Sequence, residues 1–169
     1  MRDLVLKLRT FSRLDEGERK VVSICECVES MLTILSHRYK ERILVETQYG
    51  DPDLLDCYPG LLTQAMMNLV SNAIDAIVGH GMIKIASGSA GDWYRIAVTD
   101  TGTGIPDNVL EKILDPFFTT KPVGQGTGLG LSITYSIVRK HGGRIEFARA
   151  TGGGTEASLY LPLAARGPV

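Results

Sequence analysis

The chain has 169 residues, 44% hydrophobic and 22% charged, with 18 Lys and Arg against 19 Asp and Glu for a formal net charge of -1. That composition fits one globular domain of ordinary size and carries no basic footprint for nucleic acid. No apolar run approaches the ~20 residues that cross a bilayer and no secretory leader opens the chain, so the expected location is cytoplasmic.

Residues 1–14, MRDLVLKLRTFSRL, place Leu4, Leu8 and Phe11 at i, i+4 and i+7 between charges. This spacing predicts an amphipathic helix whose apolar stripe needs a partner, the end of a truncated neighbouring domain. After Asp15-Glu16-Gly17-Glu18, a short Val21-Val22-Ser23-Ile24 segment leads into a helix near 24–40, a strand over Arg42 to Tyr49 and a turn at Gly50-Asp51-Pro52-Asp53. A second helix is expected from Pro59 to Val78, with proline suited to a first turn. Met82 to Ser87 and Trp93 to Thr99 read as a hairpin closed by Gly88-Ser89-Ala90-Gly91. A glycine loop at 100–106, a short helix near 107–114 and a loop from Asp115 to Thr127 follow. A third helix runs from Gly128 to Lys140 and stops at His141-Gly142-Gly143. Strands at 144–149 and 155–161, joined by Thr151-Gly152-Gly153-Gly154, close the chain. The expected fold class is α+β: a two-layer α/β sandwich, its mostly antiparallel mixed sheet covered on one face by helices.

Three cysteines, Cys25, Cys27 and Cys57, cannot all pair, and free thiols are expected. Glycine is the unusual residue, 19 of 169, clustered at 102–104, 124–130 and 152–154. Three segments carry chemistry. In LLTQAMMNLVSNAIDAI, Gln64, Asn68, Asn72 and Asp75 share one helical arc, opposite Leu62, Met66, Leu69, Ala73 and Ile77. On periodicity alone such a stripe is a solvated face. Asparagine, however, is a poorer helix former than the Lys and Glu that usually cover such faces, and its carboxamide oxygen is able to ligate a hard cation such as Mg²⁺. Asp100-Thr101-Gly102-Thr103-Gly104 puts a carboxylate at a strand end before a tight backbone turn; it is either a plain turn or an acceptor-only group suited to the 6-amino donor of adenine. Gly124-Gln125-Gly126-Thr127-Gly128-Leu129-Gly130 offers free N–H groups at a helix start, a phosphate cradle that is neither a Walker A loop nor a GxGxxG turn. Upstream of it, Phe117 and Phe118 read as core anchors, and Lys121 as a surface charge or a phosphate contact.

Together these segments resemble the ATP-binding catalytic domain of two-component sensor histidine kinases, within the superfamily that includes DNA gyrase, the mismatch-repair ATPases and the large heat-shock chaperone. NLVSNAIDAI is similar to the family's N box, DTGTGIP to its first glycine box, DPFFTTKP to its F box and GQGTGLGLSI to its second glycine box. The nearest flavour is the nitrogen-regulation sensor type. The resemblance implies a Bergerat-type fold over 16–165, with 1–15 the C-terminal end of a truncated dimerisation and histidine-phosphotransfer helix. It implies that Asn72 ligates Mg²⁺ and that Asn68 supports the metal or phosphates. Asp100 would bind adenine with help from Thr155, and Gly102 and Gly104 would shape that pocket. Lys121 and the backbone of Gly126, Thr127, Gly128, Leu129 and Gly130 would close over the phosphates. Asp75 receives no role.

The implied cofactors are ATP and Mg²⁺. The gyrase-like ATPases carry a Glu one turn before the metal-binding Asn to activate water; Asn68 stands there, so phosphoryl transfer to a protein histidine is expected rather than efficient hydrolysis. His37, His80 and His141 are not followed by an acidic residue, so the acceptor is expected on the upstream dimerisation domain. The implied partners are that domain, a response-regulator receiver domain and a second copy in a full-length homodimer, whose parent is able to be membrane-anchored. An ATP-driven conformational switch and a degenerate nucleotide sensor are the alternative functions.

Overall fold

The computed structural model describes residues 17–115, 118 and 128–163; the helix expected over 1–14, Phe117, Lys121, Gly126 and Thr127 lie outside them. Lys20–Ser23 (β1) pairs antiparallel with Leu54–Cys57 (β3), Val22 opposite Leu55, as a separate two-stranded ribbon. Between them run Ile24–Tyr39 (α1) and Ile43–Tyr49 (β2). Then come Pro59–Ala76 (α2), Gly81–Ala90 (β4), Trp93–Asp100 (β5), Gly130–Lys140 (α3), Arg144–Arg149 (β6) and Thr155–Pro162 (β7). The larger sheet has five strands in the order β2-β4-β5-β7-β6, antiparallel except for β2 against β4. That parallel pair needs a crossover, and α2 lies within it. The structure bears out the α+β class, with its mixed, mostly antiparallel sheet.

Alternation along the strands sends Ile83, Ile85, Tyr94, Ile96, Val98, Leu159 and Leu161 into one core with the helices. The other face carries Lys84, Arg95, Thr99 and Glu156, with Arg95 Nη2 donating to Glu156 Oε1 at 2.6 Å and to Ser158 Oγ at 2.9 Å. Helix α2 is the middle helix, packed between α1 and α3. Its expected apolar stripe is buried, Leu62, Met66, Leu69, Ala73 and Ile77 all being under 5% exposed, and Ala65, Val70 and Ile74 are buried beside it. Helix α1 starts where Ser23 caps it, Oγ accepting from Glu26 N at 3.2 Å, while Asp53 Oδ1 accepts from Cys25 N at 3.0 Å and Asp53 Oδ2 accepts from Ser23 Oγ.

Several boundaries differ from the sequence expectation. Strand β3 had no periodic signal in its four residues and forms by pairing with β1. Strand β4 runs through the expected 88–91 turn to Ala90; Gly91-Asp92 makes the turn, with Gly91 at φ +64. Gly88 serves instead as a close approach, since a Cβ on Gly50 would sit 2.8 Å from its Cα. The short helix near 107–114 is one 3₁₀ turn, Asp107–Val109, continued by turns bonded mostly i to i+3. Helix α2 ends at Ala76, where Arg42 takes its carbonyls: Nη1 donates to Ile77 O at 2.8 Å and Gly79 O at 3.2 Å, and Nη2 to Ile74 O at 3.2 Å. Helix α3 begins at Gly130 because Gly128 is left-handed, φ +68.

Candidate functional site

Asp100 ends β5 in the middle of the sheet and is 6% exposed. Its Oδ1 accepts two backbone N–H groups, from Gly102 at 2.8 Å and Thr155 at 3.3 Å. Among the described residues Oδ2 accepts none. Burial pushes the carboxyl pKa up and the two N–H bonds pull it back down. A buried carboxylate with one oxygen committed and one open is a receptor for a neutral donor. Two glycines make the backbone close enough to build it. A Cβ on Gly102 would lie 2.5 Å from Ala76 O, at the end of α2, and Thr103 N donates to that same carbonyl at 3.1 Å. A Cβ on Gly154, at φ +88, would lie 2.0 Å from Asp100 O. Gly104, also left-handed, faces Gly154.

The polar stripe of α2 is not uniformly solvated, since Asp75 is exposed, Gln64 and Asn72 are half-buried and Asn68 is buried. Asn68 is 6% exposed; its Nδ2 donates to Gly130 O at 3.0 Å and Thr134 Oγ1 at 3.3 Å, and its Oδ1 accepts from Gln64 Nε2 at 3.1 Å. Asn72, one turn on, is half-buried, and its side chain makes no hydrogen bond to another described residue. Asp75 pairs with Arg38 of α1 at 2.7 Å, and Arg38 also donates to Ser71. The helix splits the stripe between its two neighbours: Asn68 toward α3, Asp75 toward α1.

Opposite Asn68, no side chain among the described residues caps the N-terminus of α3; buried Leu129 occupies the cap position. An uncapped helix start carries a partial positive charge and attracts anions. Gly102 packs on Ala76 and Gly130 on Asn68, eight residues apart on α2, or about 12 Å along its axis. The arrangement suits an elongated ligand with a donor-bearing ring at one end and an anionic chain at the other. Among the described residues no group of three or more His, Cys, Asp or Glu is placed to hold a metal ion. The donor set at Asn72 and Asn68 is neutral oxygen, which fits a Mg²⁺ that arrives with phosphate ligands of its own.

The structure thus joins Asp100, Gly102, Gly104 and Thr155 at the C-terminal end of α2, and sets Gly130, at the start of α3, against Asn68 in the middle of α2. Gln64 appeared in the sequence only as part of the stripe, Gly154 only as a turn glycine, and Thr134 gave no signal at all. Buried His141 ties the C-terminal end of α3 to the start of α2, beside the ribbon: Nδ1–H donates to Ile137 O at 2.7 Å and Nε2 accepts Tyr58 N–H, at the cap of α2, at 3.0 Å. Burial, the largest cause, lowers its pKa, and Arg19 and Lys140 also lower it.

Residues 58–165 match the family described as histidine kinase-, DNA gyrase B-, and HSP90-like ATPase. Sensor histidine kinase ZraS of Escherichia coli O157:H7 is 46% identical over 105 residues, 62% of this chain and 22% of ZraS. The catalytic domain of histidine kinase ThkA superposes with a TM-score of 0.77 at 31% identity, covering 86% of this chain and 96% of that one. ThkA solved in complex with the response regulator protein TrrA gives 0.78 at 26% identity, covering 96% of this chain and 47% of that one. The chain spans about a fifth of the length of the curated relatives it matches. With the family's model matched over 58–165 and the fold shared with a histidine kinase catalytic domain, this chain belongs to the histidine kinase-, DNA gyrase B- and HSP90-like ATPase family.

Proposed function

We propose that this chain is the ATP-binding catalytic domain of a sensor histidine kinase, which transfers the ATP γ-phosphate to a histidine of a dimerisation domain for onward transfer to a response-regulator aspartate. The observation that carries the reading is Asp100: a buried carboxylate whose Oδ1 is fixed by Gly102 and Thr155 N–H groups while Oδ2 is left for a ligand donor. Adenine presents an amino donor there, and guanine presents a carbonyl that a carboxylate repels.

The remaining roles follow from charge. The uncapped start of α3, from Gly128 to Gly130, receives phosphate oxygens; Gly126, Thr127 and Lys121 are proposed to complete that cradle. Asn72 and Asn68 hold the Mg²⁺ that comes with the phosphates, adding oxygen ligands without negative charge. A bound Mg²⁺ neutralises charge on the transferring group. The domain's contribution is positioning. The Asn68 carboxamide does not accept a proton at neutral pH and its nitrogen donates to α3, so it is no general base for water. His37 and His80 are exposed and His141 is buried in structural bonds; the acceptor is a histidine of the dimerisation domain, with 1–15 the end of its helix and 16–165 the catalytic domain. That ThkA was solved with a response regulator supports such a regulator as the partner here. No helix among the described residues is long and apolar enough to cross a membrane, which agrees with a cytoplasmic domain of a homodimeric parent.

The test is titration calorimetry with ATP, ADP and GTP, followed by an assay for acid-labile phosphate on a dimerisation domain supplied in trans. Adenine-selective binding and phosphohistidine formation are expected. Efficient hydrolysis with no phosphohistidine would overturn the kinase assignment in favour of an ATP-driven switch.

A further inference from the structure

The Asn68 carboxamide lies between α2 and α3 with every bond on its nitrogen side defined. Nδ2 donates to Gly130 O at 3.0 Å and to Thr134 Oγ1 at 3.3 Å, and Thr134 Oγ1 itself donates to Gly130 O at 2.8 Å. A carbonyl only accepts, and a hydroxyl whose proton is already on that carbonyl offers lone pairs to any other neighbour. The α3 side of this pocket therefore takes the NH₂ end of the carboxamide and rejects the oxygen. Oδ1 is turned away from α3, where Gln64, one turn earlier on α2, donates to it at 3.1 Å. Among the described residues its second lone pair has no donor. Thr134 is fully buried and Gln64 half-buried, so the former sets the orientation from inside and the latter from the rim.

We infer that Thr134 and Gln64 are positioning residues of the metal and phosphate site, holding Asn68 with its nitrogen on α3 and its oxygen toward the cation. The inference rests on the nucleotide reading above and adds to it two residues that act only through Asn68. A flipped carboxamide would aim two N–H groups where a cation needs an oxygen. The same bonds tie α2 to Gly130, the first residue of the helix that receives the phosphates, so metal ligand and phosphate cradle are held as one unit.

The test uses three variants. Thr134→Val keeps the shape and removes the hydroxyl, Thr134→Ser restores it, and Gln64→Met removes the amide donor from a half-exposed position that tolerates the change. In the nucleotide-free protein, NMR of the Asn68 side-chain amide is expected to show two protected protons in wild type and Thr134→Ser, and loss of protection at one in Thr134→Val. In ATP titrations, the gain in affinity on adding Mg²⁺ is expected to fall about fivefold to tenfold in Thr134→Val and Gln64→Met, the size of one lost oriented hydrogen bond. Mg²⁺-free affinity stays near wild type, and Thr134→Ser behaves as wild type. Should Thr134→Val fail to fold, Gln64→Met carries the test alone. An unchanged Mg²⁺ gain in folded variants, beside a wild type that binds ATP, overturns this inference and leaves the nucleotide reading standing. A wild type that binds no adenine nucleotide overturns both.

Discussion

Replacing Asp100 by Asn separates what the buried carboxylate does for the fold from what it does for a ligand, because the two effects have opposite sign. Oδ1 accepts from Gly102 N and Thr155 N, and an amide oxygen accepts the same two bonds. The carboxyl pKa is raised above its ordinary value, so the folded state binds a proton more readily than the unfolded one. This group's contribution to stability therefore falls as pH rises through that window and stays lower above it. A neutral Asn removes that cost, and Asp100→Asn is expected to unfold at the same temperature as wild type or higher at pH 7. For the ligand, Oδ2 becomes an NH₂ that faces the adenine amino group, donor against donor. Losing a hydrogen bond to a charged acceptor costs about 1.5 to 3 kcal/mol, roughly a 10- to 150-fold weaker Kd for ATP or ADP. Calorimetric titration beside thermal denaturation reads both quantities on the same samples, and wild type is expected to favour ATP over GTP. A variant that loses stability by more than about 1 kcal/mol yet binds adenine nucleotides as tightly as wild type would refute the assignment, since the carboxylate would then be a structural acceptor only.

Other consequences are as specific. Because burial lowers the His141 pKa, the unfolded chain binds the proton that the folded one refuses; stability is expected to rise with pH through the window from that lowered value up to about 6.5 and to be flat above it. The difference between wild type and His141→Gln in thermal denaturation from pH 4.5 upward isolates this slope, and parallel curves would refute it. Gly102→Ala, whose Cβ meets the Ala76 carbonyl at 2.5 Å, is expected to cost about 1 to 3 kcal/mol and to weaken nucleotide binding. Gly130→Ala, whose Cβ would lie 3.9 Å from Asn68, has room and is expected to be neutral or to gain up to ~1 kcal/mol of helix propensity; chemical denaturation of the pair compares them. Asp53→Ala removes an acceptor of both the Cys25 N–H and the Ser23 hydroxyl at the start of α1 and is expected to lower Tm by several degrees, a cost of about 1 to 2 kcal/mol.

The sequence was most legible where a residue type reports a local requirement. The apolar positions named for α2 are all buried, because period and burial are the same physical fact for a helix that packs on a sheet; Ala65, Val70, Ile74 and Asn68, buried as well, widen that face because α1 and α3 flank the helix. Gly102 and Gly104 marked a tight turn beside a strand-end aspartate, and the structure has that turn. Failures came where the cause lies far along the chain. Strand β3 exists because β1, more than thirty residues away, supplies its hydrogen bonds. Gly88 looked like a turn residue and is a contact with Gly50, on the neighbouring strand's end.

Asn68 shows the limit most clearly. Its place in a polar stripe identified it as a residue of interest, but a helical wheel has no way to say which neighbour each member of the stripe will face. Two helices packed on either side of α2 decide that, giving Asp75 to Arg38 and Asn68 to Gly130. A carboxamide is also two different groups at its two ends. Which end faces α3 depends on a threonine sixty-six residues later in the chain, buried and without any local signature. Residue type therefore marks a carboxamide as unusual on a helix face, whereas the orientation of that carboxamide is a property of tertiary packing. That division explains why residue type was enough to single out Asn68 in the sequence, and why Thr134 enters only once α3 is seen against α2.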